Sequence, residues 1–193
     1  MKAIQITAFG GPDVMKYVDL ADPVAGTDEV VLDVTAVGIN YADTHQTENS
    51  YLSPQTLPMI PGIEVVGTHA GKRYLASVSS GGYAQKAIAH TSVLFPIPDA
   101  VTDEQALCML VQGATAWHLL KTMGNLQKGQ SVVVHAAAGG VGTIAIQLAK
   151  MWGGKVIAVT SSSAKAALAK SLGADVTVDA KSADLSAALR EAN

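Results

Sequence analysis

The chain has 193 residues, which accommodates one full domain or two small ones. Its 13 basic and 16 acidic side chains leave a formal charge of −3, which argues against nucleic acid and anionic membranes as partners, since both call for a basic face. Hydrophobic residues make up 49% and charged ones 15%, far from a disordered composition, and with only 5% aromatic content the core must be aliphatic.

The N-terminal part reads as β. Short strands are expected over residues 3–7 and 14–18, around the turn Phe9-Gly10-Gly11-Pro12, and a β-branched strand over 29–37. The polar segment 41–57, with Pro54 and Pro58 at its end, reads as a short helix followed by a loop. Further strands are expected over 63–68, 74–78, 83–89 and 92–97, punctuated by Pro61-Gly62, Gly71, Gly81-Gly82, Pro96 and Pro98. Many short strands with turns between them predict a small barrel-like β domain over residues 1–101.

The texture changes at Thr102. Thr102-Asp103-Glu104-Gln105 is a capping box, with a hydroxyl at the cap and an amide three residues on. Helices are expected over 103–110 and 115–123, separated at Gly113. From Ser131 strand and helix alternate: strand 131–135, helix 140–151, strand 155–160, helix 164–172, strand 176–179 and helix 184–191. The first long helix puts Val141, Ile144, Ala145, Leu148 and Ala149 on one face, and Gly173 stops the second. The βαβαβα order implies a right-handed parallel sheet, so the whole is α/β plus β, with residues 102–193 forming the second domain.

The run Val132-Val133-Val134-His135-Ala136-Ala137-Ala138-Gly139-Gly140-Val141-Gly142 carries a hydrophobic strand through a glycine turn into a helix. Unpaired N–H groups and the helix dipole suit a pyrophosphate there. Gly139 lets the backbone approach the phosphates and Gly142 lets helix and strand pack closely, although Ala137 stands where a strict G-x-G-x-x-G has its first glycine. The alternative is a purely structural βα turn. After the second strand an NAD site places Asp or Glu; here Thr160-Ser161-Ser162-Ser163-Ala164-Lys165 offers hydroxyls and a lysine, which favours the 2′-phosphate of NADPH. The plain alternative is that Ser162 or Ser163 caps the helix and Lys165 is a surface charge.

These residues resemble the zinc-independent, zeta-crystallin-like quinone oxidoreductases of the medium-chain dehydrogenase/reductase superfamily. The likeness rests on Ala136 to Gly142 with Gln147-Leu148-Ala149-Lys150, on Met1-Lys2-Ala3-Ile4-Gln5 with Phe9-Gly10-Gly11-Pro12, and on Val37-Gly38-Ile39-Asn40-Tyr41-Ala42-Asp43-Thr44. Pro61-Gly62-Ile63-Glu64-Val65-Val66-Gly67 and Gln112-Gly113-Ala114-Thr115-Ala116 add to it in the same order. The resemblance implies a GroES-like β domain, then a Rossmann domain of which the chain holds the first half. It implies NADPH as cofactor and a quinone or α,β-unsaturated carbonyl as hydride acceptor. Asn40 and Asp43 match positions lining the nicotinamide and substrate cleft, Tyr51 a tyrosine near the substrate entrance, and Thr115 a threonine close to the nicotinamide. Ala138, Gly139, Gly140, Val141 and Gly142 match the pyrophosphate turn, and Ser161, Ser162 and Lys165 the 2′-phosphate pocket. Ala180 takes the place of a further tyrosine that often assists in that pocket.

Zinc branches of the superfamily use a cysteine and a Gly-His-Glu histidine; Asn40 and Ile63 stand near those positions, and Cys108 is the only cysteine, so no metal site is expected. One cysteine also excludes an intrachain disulfide and fits a reducing, cytoplasmic setting. Cys108 and the methionines read as apolar core, Lys170 as a solvated charge, and the five histidines show no metal spacing. Neither a signal peptide nor a run of 18 apolar residues is visible. The hairpin between Gly67 and Arg73 is shorter than is usual in the family. The chain stops at Asn193, inside the third helix, which reads as a C-terminal truncation or a short relative. On that reading the first parallel strand keeps an unprotected edge, the chain self-associates, and its cofactor binding is weak. The two functional readings are an NADPH-dependent reductase and a non-catalytic NADPH-binding protein or inactive fragment.

Overall fold

The structure is a computed structural model and describes residues 1–52 and 54–193. The chain divides into two compact units, Met1–Val111 and Gln112–Asn193.

In the first unit β1 (Lys2–Gln5) pairs antiparallel with β2 (Lys16–Asp19). Then come β3 (Glu29–Val37), α1 (Tyr41–Thr47), β4 (Glu64–His69), β5 (Lys72–Ser77), β6 (Lys86–His90), β7 (Leu94–Pro96) and α2 (Asp103–Cys108). Strands β3 to β7 form a five-stranded antiparallel sheet in the order β6-β3-β4-β5-β7. A register shift between Val34 and Ala36 marks an irregularity in β3, the kind of feature that bends a strand and curls its sheet. One core gathers Leu32, Val65, Ala76, Val78, Ala87 and Ala89; a second packs Ala106 of α2 on Val66 and Leu75. Strand β4 is thus covered on both faces, and Glu64 at its start is wholly buried.

Helix α2 is fastened by polar contacts as well as by Ala106. The Asp103 carboxylate accepts from the Thr35 hydroxyl and from the Arg73 guanidinium, both at 2.7 Å. Those contacts, the Thr35 hydrogen bond foremost, hold the carboxyl below its ordinary value. The capping box is present: Thr102 Oγ1 accepts from Gln105 N and Gln105 Oε1 accepts from Thr102 N. Because α2 packs on β3 and β4, the division between units falls after Val111, beyond the change in texture at Thr102.

The second unit holds α3 (Ala114–Trp117), β8 (Ser131–Val134), α4 (Gly140–Met151), β9 (Lys155–Thr160), α5 (Ser163–Ser171), β10 (Val176–Asp179) and α6 (Leu185–Ala192). The three strands are parallel, in the order β10-β9-β8. In β9, Val156, Ile157, Ala158 and Val159 are all buried, as a central parallel strand requires. Ala145, Ile146 and Ala149 of α4 pack on that sheet with Val134, and Val141, Ile144 and Leu148 flank them. The architecture is a GroES-like β domain and the first half of a Rossmann fold.

Several local expectations are corrected. The strand expected over 83–89 starts only at Lys86, because Tyr83 O accepts from Ile4 N and ties this stretch to β1. The strand expected over 92–97 is a single 3₁₀ turn, Thr91–Val93, followed by the short β7. Gly113 does not interrupt the helical path: its backbone is helical (φ −66°, ψ −50°), with wide π-type turns at Met109–Gly113 and His118–Met123. Cys108 is exposed, since Ala106, Leu107 and Leu110 take the inward face of that helix. Met109, Met123 and Met151 are also exposed, while Met59 is buried. Lys170 is exposed, as expected, and also donates to the Asp175 carbonyl.

Candidate functional site

Within the second unit the site is built at the ends of β8 and β9. After Val134 the chain turns sharply, with Ala136 in the left-handed region (φ 48°) and Gly139 N donating to Ala136 O at 2.8 Å. Gly139 is the N-cap of α4 and brings no side chain over the first turn, so the helix start is open to an anion. A Cβ on Gly142 would lie 2.5 Å from Ala136 O and 2.7 Å from Ala137 Cα, so helix and turn are in contact there. A Cβ on Gly139 would meet only Ala136 O, at 3.2 Å.

A hollow of about 300 Å³ opens beside this turn, lined among others by His135, Ala138, Gly139, Ser161, Lys165 and Ala180. Lys165 Nζ donates to Ser161 Oγ at 3.3 Å, and no acidic side chain lines the hollow. Ala180 itself brings neither a hydroxyl nor a ring to the wall. A second hollow of about 510 Å³ lies along β8 and the start of α4, sharing His135, Ala136 and Gly139 with the first and adding Gly140, Val141 and Gly142. Ser162 lines neither hollow: its Oγ caps α5 by accepting from Lys165 N. Thr115 is exposed on α3 and also lines neither. A pyrophosphate and a 2′-phosphate fit this donor set: open helical N–H groups, a serine hydroxyl and a lysine.

Within the first unit Asn40 precedes α1, and the structure brings it together with Asp43. Asp43 Oδ2 accepts from Asn40 N at 2.8 Å, as in a capping box, and from Tyr83 Oη at 2.7 Å. Asn40 Nδ2 donates to Glu64 Oε1 at 2.8 Å, and Val111 N donates to Glu64 Oε2 at 3.1 Å. Asn40, Asp43 and Glu64 are 7%, 4% and 0% exposed. Asp43 Oδ1 is buried without a hydrogen-bond partner among the described residues. Burial, reinforced by the hydrogen bond to Asp43, holds the Tyr83 phenol well above the ordinary tyrosine value. Tyr51 lies beyond α1 and is partly exposed.

Asn40 and Asp43 thus form one group, and the glycine turn with Ser161 and Lys165 another, each within its own unit, while Thr115 joins neither. Sequence reasoning missed Glu64 and Tyr83 as members of the first group. The available signal for Glu64 was a lone carboxylate in the apolar run Ile63-Glu64-Val65-Val66. It also missed the left-handed Ala136, for which the residue type gives no cue.

The alcohol dehydrogenase GroES-like domain family matches residues 26–71, and the zinc-binding dehydrogenase family matches residues 140–193. A quinone oxidoreductase of Pseudomonas aeruginosa is 35% identical over 190 residues, covering 92% of this chain and 58% of that protein. Among solved structures, the quinone oxidoreductase of Thermus thermophilus, described with its NADPH complex, is 40% identical with a TM-score of 0.87, covering 93% of this chain and 60% of that one. The Escherichia coli quinone oxidoreductase complexed with NADPH is 30% identical with a TM-score of 0.92, covering 100% of this chain and 62% of that one. The chain belongs to the medium-chain dehydrogenase/reductase superfamily, in the branch that holds the quinone oxidoreductases. It spans about three-fifths of the length of these relatives. Among the described residues no helix is long and apolar enough to cross a membrane.

Proposed function

We propose that the chain binds NADPH and serves zinc-independent hydride transfer to a quinone or an α,β-unsaturated carbonyl. The observation that carries this reading is the hollow after β9, which pairs Ser161 with Lys165, contains no carboxylate, and adjoins the uncapped start of α4. A ribose-binding carboxylate would be expected for NADH, and it would repel a 2′-phosphate dianion. The NADPH complexes of the Thermus and Escherichia relatives support the same cofactor.

In this reading Ala138, Gly139, Gly140, Val141 and Gly142 receive the pyrophosphate on backbone N–H groups. Ser161 and Lys165 hold the 2′-phosphate, and Ser162 fixes the start of α5 so that Lys165 is correctly placed. Bound NADPH supplies the hydride. Asn40, Asp43, Tyr51 and Thr115 serve the nicotinamide and substrate end. Asp43 keeps α1 in place through Asn40 N and Tyr83 Oη. No zinc is required, because hydride addition to an electron-poor C=C or quinone gives a delocalised anion that positioning and hydrogen-bond donors suffice to stabilise. Asn40 and Ile63, near the zinc-ligand positions of other branches, offer neither thiolate nor imidazole. A reducing cytoplasmic setting suits the exposed thiol of Cys108.

A second reading is cofactor binding without turnover, favoured by the fact that the phosphate-holding residues all lie within one unit. The test pairs fluorescence titration of NADPH with NADPH oxidation across a panel of quinones and enones. Binding with turnover supports the enzyme, binding alone supports the second reading, and the absence of both contradicts the proposal.

A further inference from the structure

Glu64 is the most deeply buried ionisable side chain of the first unit, and the fold makes room for it. A Cβ on Gly38 would lie 2.2 Å from Glu64 Oε1, so the carboxylate occupies the space a side chain at position 38 would fill. One oxygen takes the Asn40 carboxamide and the other takes Val111 N, the last backbone N–H of the unit. A carboxylate is acceptor-only, so Asn40 must turn its NH₂ toward Glu64 and its carbonyl oxygen away. A glutamine of the same shape would lift that restriction. Its oxygen could take Val111 N only by presenting its own NH₂ to Asn40, which would then have to flip.

We propose that Glu64 is a positioning residue for the hydride-transfer site: it sets the orientation of the Asn40 carboxamide and ties it to the backbone at Val111. This rests on the proposed function, through the assignment of Asn40 to the nicotinamide and substrate end. The buried charge is costly, and a tether alone could be made from neutral groups, so the carboxylate's contribution is direction rather than attachment. A misdirected group at a reacting centre costs rate more than binding.

The test compares the full chain with Glu64→Gln. The variant is expected to keep its melting temperature and its NADPH affinity, while kcat falls about tenfold to a hundredfold with the KM for NADPH unchanged. Heteronuclear NMR of side-chain amides should show the Asn40 NH₂ slow to exchange and displaced in the parent, and shifted or fast-exchanging in the variant. An unchanged kcat in an active parent, or unmoved Asn40 signals, would overturn the proposal. If the parent shows no turnover, the functional reading fails, while the Asn40 signals still decide the role of Glu64. If Glu64→Gln does not fold, fast exchange of the Asn40 NH₂ in the parent would overturn the proposal and slow exchange would support it.

Discussion

Replacing Gly142 with alanine separates packing from ligand contact at the glycine turn. The added Cβ would sit 2.5 Å from Ala136 O, 2.7 Å from Ala137 Cα and 2.8 Å from Ala137 C. All three are backbone atoms, so no side chain can rotate away, and the shortest falls nearly an ångström inside ordinary van der Waals contact. Overpacking of this kind costs about 1–3 kcal/mol. The intrinsic helix preference of alanine over glycine returns about 1 kcal/mol. With an immobile neighbour the cost lies at the high end, leaving a net loss of about 2 kcal/mol and a fall in Tm of about 4–8 °C. Gly139→Ala is the control. Its Cβ meets only Ala136 O at 3.2 Å, and the backbone there is extended (φ −86°, ψ 176°), so the fold should lose less than about 1 kcal/mol. NADPH affinity should nevertheless drop, because the methyl occupies the approach to the pyrophosphate. Thermal unfolding followed by circular dichroism, with an NADPH titration on each variant, measures both effects. A Gly142→Ala protein that melts at or above the parent, or equal destabilisation at the two positions, would refute the packing argument.

Three further outcomes follow from the same structure. The Asp175 carboxylate accepts from Lys150 Nζ at 2.8 Å and from Val156 N at 2.7 Å, and the Lys150 hydrogen bond foremost holds it below its ordinary value of 3.8. Its stabilisation is therefore complete above that value and lost as pH falls through the lower folded one, so urea midpoints measured in that acid range should fall less steeply in Asp175→Asn. The raised Tyr83 phenol gives the opposite sign: its contribution is present below the ordinary value of 10.0 and lost at higher pH. Tyr83→Phe should cost about 1–2 kcal/mol at neutral pH and soften the alkaline loss of stability in urea titrations. Strand β8 pairs only with β9 among the described residues, and Val133 is 39% exposed, so Val133→Lys should reduce self-association in sedimentation velocity. An unchanged sedimentation profile would show that the edge is not sticky.

The second unit was the more legible half. Strand β9, helix α4 and strand β10 have the expected bounds, because an apolar run, a glycine turn and a helical face repeat with little competition from other contacts. The β unit was harder. Tyr83 looks like a strand residue by type, yet its backbone is claimed by Ile4 and its hydroxyl by Asp43, both distant in sequence. The glycine at position 113 carries a conformational freedom that the helical path does not use. At the proposed phosphate site the residue types pointed to Gly139, Gly142, a run of hydroxyls and Lys165, because these lie close together in sequence, and the resemblance singled out Ser161 among the hydroxyls. In the first unit the resemblance named Asn40 and Asp43, but the Glu64 that holds the Asn40 carboxamide comes from a strand with no local link to α1, and only the folded sheet reveals it.

Whether Lys165 and Ser161 make a 2′-phosphate site is decided by cofactor titration of the chain and of Lys165→Ala. A charge-assisted phosphate contact is worth about 1.5–3 kcal/mol, so the variant should bind NADPH about tenfold to a hundredfold more weakly while NADH binding stays unchanged. Equal losses for both cofactors, or no preference for NADPH in the parent, would contradict the account.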